Sequence, residues 1–173
     1  MIRKVEIERC SLTTSKPFDA IVVALNAAIG HLDMAECWRS THRTHSVAEL
    51  ESTIHKALNK EGLIFFVAFD HGAIMRQGTG RDTPRIIRFV IGNPLIMKAM
   101  ATHVPDAGSY APVTILVDEL PDGVHLSYDR MTSLLAPYGR SDALEVARNL
   151  DTTVEDLLRQ APACACVLTH VRA

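Results

Sequence analysis

The amino-acid sequence predicts an α+β domain with two layers: a mixed β-sheet and helices packed on one face of it. Short strand-like segments alternate with segments of helical periodicity along the chain. The tripeptide Pro121-Asp122-Gly123 is a strong turn signal between two strand-like segments, so at least one strand pair is antiparallel. The chain has 173 residues and contains no repeat or low-complexity segment, and we therefore expect a single domain over residues 1–173.

The first third of the chain predicts one strand and two helices. Arg3–Arg9 alternates apolar and charged residues, which is typical of a half-exposed strand. From Phe18 the apolar residues recur at helical spacing and predict a first helix. Ser46 and Glu49 have the spacing of a capping box at the start of a second helix, and Gly62 suits the cap at its end.

The middle of the chain predicts two hydrophobic strands, each followed by a polar turn. Leu63–Phe69 has almost no polar residue, so we expect it to be buried on both faces. It ends in Asp70-His71-Gly72. Ile86–Ile91 is the next strand and ends in Gly92-Asn93-Pro94, which has the form of a helix N-cap followed by proline at the first helical position.

The last third predicts a hairpin and a long helix. Pro112–Asp118 and Val124–Tyr128 form the two strands of the hairpin. A helix with a regular apolar stripe begins at Ser141, and we expect Pro162 to end it. Cys164–Val171 is then interpreted as a short edge strand.

Composition and charge argue against several classes of protein. The net charge is −2 and no block of lysine or arginine is present, so we expect no nucleic-acid partner. No apolar segment approaches the length of a membrane span, and the N-terminus lacks the apolar core of a signal peptide. We therefore expect a cytoplasmic protein without a membrane partner, with its four cysteines reduced.

Four segments in order resemble the DUF302 family. They are the glycine-led strand ending in Asp70-His71, the arginine-led strand ending in Gly92-Asn93-Pro94, the proline-led strand from Pro112 to Glu119, and the Asp122-Gly123 hairpin leading to Ser127-Tyr128. The resemblance covers about residues 62–128 and, loosely, the final helix. It implies the TT1751-like α+β fold and a homodimer, but no established activity. The chain departs from the family pattern by an extra helical segment at about residues 31–61.

The strand ends supply the first candidate site residues. Imidazole titrates near neutral pH, so His71 can accept or donate a proton, with Asp70 as its orienting carboxylate. The alternative is structural: Asp70 caps the turn and His71 bonds a backbone carbonyl. Asn93 begins a helix whose free N–H groups can bind an anion, or it is an ordinary cap. Arg76, Arg85 or Arg88 can supply positive charge there.

A second group of candidates follows the hairpin. Tyr128 ends a strand beside Arg130 and can orient a ligand carbonyl, and Tyr110 belongs to the same group. The alternative for Tyr128 is a half-buried ring with its hydroxyl at the surface. Two groups of residues contain metal-ligand types but match no standard zinc pattern, so we expect free thiols, no metal and no cofactor. These groups are Cys37, His42 and His45, and Cys164, Cys166 and His170.

Three functions are compatible with these residues. The first is binding of a small, anionic metabolite in a pocket near the sheet edge, lined by Asp70, His71, Asn93 and Tyr128. The second is an enzyme, an isomerase, lyase or hydrolase, in which His71 acts as general acid and base on a carbonyl-type substrate. The third is a non-catalytic oligomer in which the motif residues only hold the fold.

Overall fold

A six-stranded mixed sheet forms one layer of the computed structural model, in the order β1-β6-β5-β4-β3-β2. The structure describes residues 4–33, 46–58, 60, 62–82 and 84–170, apart from the side chains of residues 47 and 164–170. The short strand β2 runs parallel to β3, and the other neighbours pair antiparallel. The strands are β1 (Arg9–Thr14), β2 (Gly30–His31), β3 (Ile64–Asp70), β4 (Ile86–Gly92), β5 (Val113–Leu120) and β6 (Gly123–Asp129).

Six α-helices in the described part of the chain complete the fold. They are α1 (Phe18–Ala28), α2 (Val47–Ala57), α3 (His71–Arg76), α4 (Pro94–His103), α5 (Met131–Leu135) and α6 (Ser141–His170). Helices α1, α4 and α5 all pack against α6, and α6 in turn contacts β1 and β6. This arrangement confirms the predicted α+β fold with a mixed sheet and a helical layer.

The hydrophobic core lies between one face of the sheet and the helices. Alternate residues of the central strands point into it, because side chains alternate between the two faces of a strand. On β4, β5 and β6 these inward residues are Phe89, Ile91, Val113, Ile115, Val117, Val124, Leu126 and Tyr128. On α6 the buried residues recur at intervals of three and four, as one face of a helix requires. The opposite face of the sheet has no such cluster among the described residues.

The first strand lies later in the chain than its charge pattern predicts. Arg9–Thr14, rather than Arg3–Arg9, pairs with β6, and Arg9 lies opposite Asp129. Cys10 and Leu12 pack against the core, whereas Ser11 and Thr13 are exposed. The segment Arg9–Thr14 therefore forms the edge strand of the sheet. The alternating charges of Arg3–Arg9 do not indicate where this strand lies.

The last helix continues past the proline that was expected to end it. Helix α6 runs from Ser141 to His170 with Pro162 in its interior, so the predicted edge strand Cys164–Val171 is wrong. Proline at this position removes one backbone donor and favours a bend, but it does not forbid helix on its C-terminal side.

The prediction that β3 is buried on both faces is wrong for its second half. Leu63 and Ile64 are fully buried, but Val67 and Phe69 are 39% and 43% exposed. The cause is the length of β2, which pairs only with Ile64 and Phe65. Beyond Phe65, no strand of the described residues pairs with β3 on the β2 side.

The predicted capping box and the predicted hairpin are present, but the helix cap predicted at Gly62 is not. Ser46 caps α2 by accepting a hydrogen bond from the backbone N–H of Glu49, as the capping box predicts. The helix ends at Ala57, so Gly62 is not its cap; with φ of +73° it forms the turn into β3. The hairpin between β5 and β6 is confirmed, and Gly123 begins its second strand.

Gly123 is required by both its backbone angle and its surroundings. Its φ is +139°, and a Cβ atom there would lie 2.7 Å from the carbonyl oxygen of Thr14 in β1. We expect Gly123→Ala to lower the free energy of unfolding by about 1–3 kcal/mol, measured by urea denaturation. Gly108→Ala is the matched control, because a Cβ atom at Gly108 has nothing within 4 Å and its φ is not positive. Equal stability of the two variants would contradict this assignment.

Candidate functional site

Asp70 serves as the cap of α3. Its Oδ1 accepts a hydrogen bond of 2.7 Å from the backbone N–H of Ala73, and its Oδ2 lies 3.6 Å from a guanidinium nitrogen of Arg76. An N-cap carboxylate satisfies one of the free donors at the start of a helix. The structure therefore places Asp70 in the structural position that was the alternative to a catalytic one.

His71 lies against an aromatic ring rather than against a carboxylate. It is half-buried at the first position of α3, and its ring stacks on that of Phe69 at a centroid distance of 6.1 Å and an angle of 13°. The guanidinium of Arg88 also lies over Phe69, 5.1 Å from the ring centroid. Within the described part of the chain, no hydrogen bond joins Asp70 to His71. Among the described contacts, Asp70 therefore does not act as the orienting carboxylate of His71.

The two polar strand ends do not meet. Strands β3 and β4 are antiparallel, with Ile64 opposite Gly92 and Asp70 opposite Ile87. Six residues of strand separate the two ends, which corresponds to about 20 Å at the usual rise per residue. Asp70 and His71 therefore lie at one end of the sheet and Asn93 at the other, so one pocket cannot contain all three.

Asn93 holds two segments together at its end of the sheet. Its side-chain oxygen accepts a hydrogen bond of 2.9 Å from the backbone N–H of Leu95 and caps α4, with Pro94 at the first helical position. Its amide nitrogen donates a bond of 3.0 Å to the carbonyl oxygen of Gly62. The predicted helix cap is therefore present, and it also ties α4 to the turn before β3.

A cavity opens beside Asn93, and we call it the strand-end cavity. Its volume is about 160 Å³. Described residues from β3, α4, the start of β5 and α6 form its wall, and Asn93 is the polar side chain among these described residues. The apolar lining includes Phe66, Met97, Met100, Pro112 and Leu150. Of the predicted site residues, Asn93 alone lines this cavity.

Tyr128 belongs to the hydrophobic core. It is 1% exposed, and its hydroxyl donates a hydrogen bond of 2.7 Å to Oδ1 of Asp151 on α6. Asp151 is fully buried and also accepts hydrogen bonds from the backbone N–H groups of Met131 (2.7 Å) and Thr132 (3.1 Å). One carboxylate thus caps α5 from another helix and fixes the end of β6.

Arg130 completes this network from the outside. Its guanidinium forms an ion pair of 2.7 Å with Glu8, and its Nε lies 3.1 Å from Glu155 and 3.6 Å from Asp151. The side chain is engaged by three carboxylates from two other segments of the chain. Arg130 is therefore placed to balance the buried charge of Asp151.

Tyr110 takes part in a separate hydrogen-bonded chain near the surface. Its hydroxyl lies 3.1 Å from that of Tyr138, which donates a bond of 2.8 Å to Asp106. The hydrogen bond with Tyr110, followed by the one with Asp106, raises the pKa of Tyr138 to about 12. This hydrogen-bonded chain joins Tyr110 to Tyr138 and Asp106, and it does not include Arg88 or His71.

The two groups of metal-ligand residues lie outside the side chains that the structure describes. Cys37, His42 and His45 fall in residues 34–45. Cys164, Cys166 and His170 fall in the last turns of α6, where side chains are not described. Among the described residues, no group of three or more histidine, cysteine, aspartate or glutamate side chains is arranged to hold a metal ion.

Asp151 and the strand-end cavity were not identified from the sequence. A signal for Asp151 is present: it occupies a position of the apolar stripe of α6, four residues after Ala147 and three before Val154. A charged residue at a buried helical position indicates a buried partner. The cavity has no such signal, since its wall comes from segments that are distant along the chain.

Comparisons with known proteins agree with this fold. The family model described as "Domain of unknown function DUF302" matches residues 37–161, well over half of the chain. The crystal structure of an uncharacterised conserved DUF302 protein from Bacillus stearothermophilus is similar, with a TM-score of 0.62 and 12% sequence identity over 88% of this chain and 97% of that one. No curated protein matches the chain significantly. In the described residues, no helix is both long and apolar enough to cross a membrane.

Removal of the Asp151 carboxylate tests the buried network. Asp151→Ala leaves the hydroxyl of Tyr128 and two backbone N–H groups without their acceptor in the core. We expect the free energy of unfolding to fall by about 3–5 kcal/mol, measured by urea denaturation. Asp156→Ala on the same helix is the control, because Asp156 is exposed and bonds only Arg159 among the described contacts. A similarly small effect of both variants would show that Asp151 is not required.

The ionisation of Tyr128 predicts how stability changes at alkaline pH. Burial, followed by the negative charge of Asp151, raises the pKa of the Tyr128 phenol well above its usual value of 10.0. Above pH 10 the unfolded state therefore loses this proton while the folded state keeps it, so stability falls as pH rises. We expect Tyr128→Phe to reduce this alkaline loss, measured as the slope of unfolding free energy against pH. A slope identical to that of the unmodified protein would contradict the prediction.

Proposed function

The chain belongs to the DUF302 family, whose domain has no assigned function, and we propose that this member binds a small, mainly apolar molecule in the strand-end cavity. The observation that carries the proposal is the cavity itself. Its volume of about 160 Å³ is several times that of a water molecule, and protein interiors contain few voids of this size. In another protein, an apolar cavity of about 150 Å³ stays dry and takes up benzene.

Among the described residues that line the cavity, Asn93 supplies the polar side chain. The side-chain amide carries two N–H groups, and one of them is used by the carbonyl of Gly62. The second is available to a hydrogen-bond acceptor on a ligand. This arrangement favours a molecule with a single aromatic ring or a short aliphatic chain and one carbonyl or hydroxyl oxygen. Such a combination of apolar wall and few polar groups is typical of small-molecule sites.

The geometry favours an apolar ligand over the anionic metabolite expected from the sequence. None of the described side chains that line the strand-end cavity carries a charge. Arg88, expected to supply positive charge beside Asn93, lies over Phe69 and pairs across β3 and β4 with that residue. The helix start at Asn93 thus offers hydrogen bonds without a neighbouring cation from β4.

The catalytic hypothesis for His71 stays a prediction. His71 lies at the end of β3 that is remote from the strand-end cavity, about 20 Å away along the strand. Binding in the cavity therefore does not require the imidazole. A ligand bound there would also be out of reach of proton transfer by His71, which needs hydrogen-bonding distance.

Toluene is a suitable probe of the strand-end cavity, and methionine methyl groups report its position. The chain has six methionines, of which Met97 and Met100 line the cavity and Met75 is an exposed residue of α3. In a titration of methyl-labelled protein followed by NMR, we expect saturable shifts of the Met97 and Met100 signals. The Met75 signal should stay in place, because its side chain lies at the other end of β3.

Filling the cavity provides the matched test. We expect Met97→Trp to weaken toluene binding by at least about tenfold, equivalent to about 1.4 kcal/mol, because the indole occupies the space. Met75→Trp and His71→Ala should both bind like the unmodified protein. Shifts spread over all methionine signals, or no shift at all, would argue against a site in the strand-end cavity. Loss of binding in His71→Ala would instead support the pocket expected from the sequence.

A further inference from the structure

Gly92, the last residue of β4, lines the strand-end cavity without contributing a side chain. It is buried and lies opposite Ile64 in the sheet. Glycine is an unfavourable residue within a strand, because it loses more backbone freedom on folding than any other residue and has no side chain to pack. A glycine at a buried strand position therefore indicates either a structural requirement or a functional one.

The backbone conformation of Gly92 does not require glycine. Its φ angle is not positive, so its backbone lies in a region that residues with a side chain also adopt. Gly123 is the contrasting case in the same sheet, since its φ is +139°. The backbone of β4 is therefore compatible with alanine at position 92.

Steric crowding does not require glycine at this position either. A Cβ atom on Gly92 would lie 3.4 Å from Cβ of Pro112 and 3.6 Å from Cε2 of Phe66, which are ordinary van der Waals distances. At Gly72, by contrast, a Cβ atom would lie 2.6 Å from the carbonyl oxygen of Pro84. The described neighbours of Gly92 therefore leave room for a methyl group.

The neighbours of that Cβ position belong to the wall of the strand-end cavity. Phe66 of β3 and Pro112, which precedes β5, both line the cavity, as do Gly92 and Asn93. A methyl group on Gly92 would therefore occupy apolar space of the cavity between Phe66 and Pro112. Glycine in a strand is also typical of positions where a ligand approaches the backbone closely.

We propose that Gly92 determines the size of the ligand that the strand-end cavity accepts, because the apolar part of the ligand lies against its Cα in the space of the missing side chain. This inference rests on the proposed function and deepens it by naming the residue that sets specificity. The ring or chain of the ligand lies beside Phe66 and Pro112, and its oxygen reaches the Asn93 amide. One methyl group more or less in a hydrophobic pocket changes discrimination between ligands by about 10- to 200-fold.

The variant Gly92→Ala separates this role from a structural one. We expect its midpoint of urea denaturation to equal or exceed that of the unmodified protein, because alanine fits both the backbone and the neighbouring side chains. In the NMR titration of the methionine methyl signals, we expect toluene to bind at least about tenfold more weakly. Benzene, which is smaller by one methyl group, should be weakened less. Gly108→Ala is the matched control and should bind both probes like the unmodified protein, because Gly108 does not line the cavity.

Three results would overturn the inference. A urea midpoint of Gly92→Ala below that of the unmodified protein would show that the glycine is structural. Unchanged binding of both probes, or equal weakening of both, would show that position 92 does not distinguish ligands by size. If Met97→Trp still blocks toluene in that case, the proposed function stands and this inference alone fails. Absence of toluene binding by the unmodified protein would instead remove the proposed function and this inference together.

Discussion

The buried carboxylate of Asp151 holds the helical layer to the sheet. Removing a carboxylate from water costs several kcal/mol unless its oxygens are fully hydrogen-bonded and its charge is balanced. Here three donors, from Tyr128 and from the first two residues of α5, bind the two oxygens, and Arg130 lies alongside. The end of β6, the start of α5 and the middle of α6 are therefore fixed relative to one another by a single side chain.

This network accounts for two residues that the sequence pattern presents as ligand contacts. Tyr128 and Arg130 are a tyrosine and an arginine at a strand end, which is also where many binding sites lie. Their surroundings differ from those of a site, since the tyrosine is buried and the arginine is shared among Glu8, Asp151 and Glu155. Where a helix begins inside the core, polar residues at the neighbouring strand end are needed to hydrogen-bond and to balance charge there.

The sequence predicts most of the architecture and little of the site, for a physical reason. Helix caps, the hairpin turn and the apolar stripe of α6 depend on residues close together in the chain, so local patterns identify Ser46, Asn93 and Gly123 correctly. Whether Asp70, His71 and Asn93 share a pocket depends on the direction of β3 and β4. Because β3 and β4 are antiparallel, their C-terminal ends lie at opposite ends of the sheet. A local sequence pattern does not indicate the direction of a strand, and it does not identify the residues that contact Asp151.

A single irregularity in β3 places one of its side chains in the wall of the strand-end cavity. The register of β3 against β4 shifts between Phe65 and Val67, so Phe66 has no opposite residue on β4. A bulge of this kind redirects a side chain and increases the local twist of a strand. The Phe66 ring becomes part of the wall of the strand-end cavity. On the other side of the bulge, β3 has passed the last residue that pairs with β2, and Val67 and Phe69 are exposed. The hydrophobic segment that the sequence presents as one buried strand is thus divided in two. One half contributes Phe66 to the wall of the strand-end cavity, and in the other half Val67 and Phe69 are exposed.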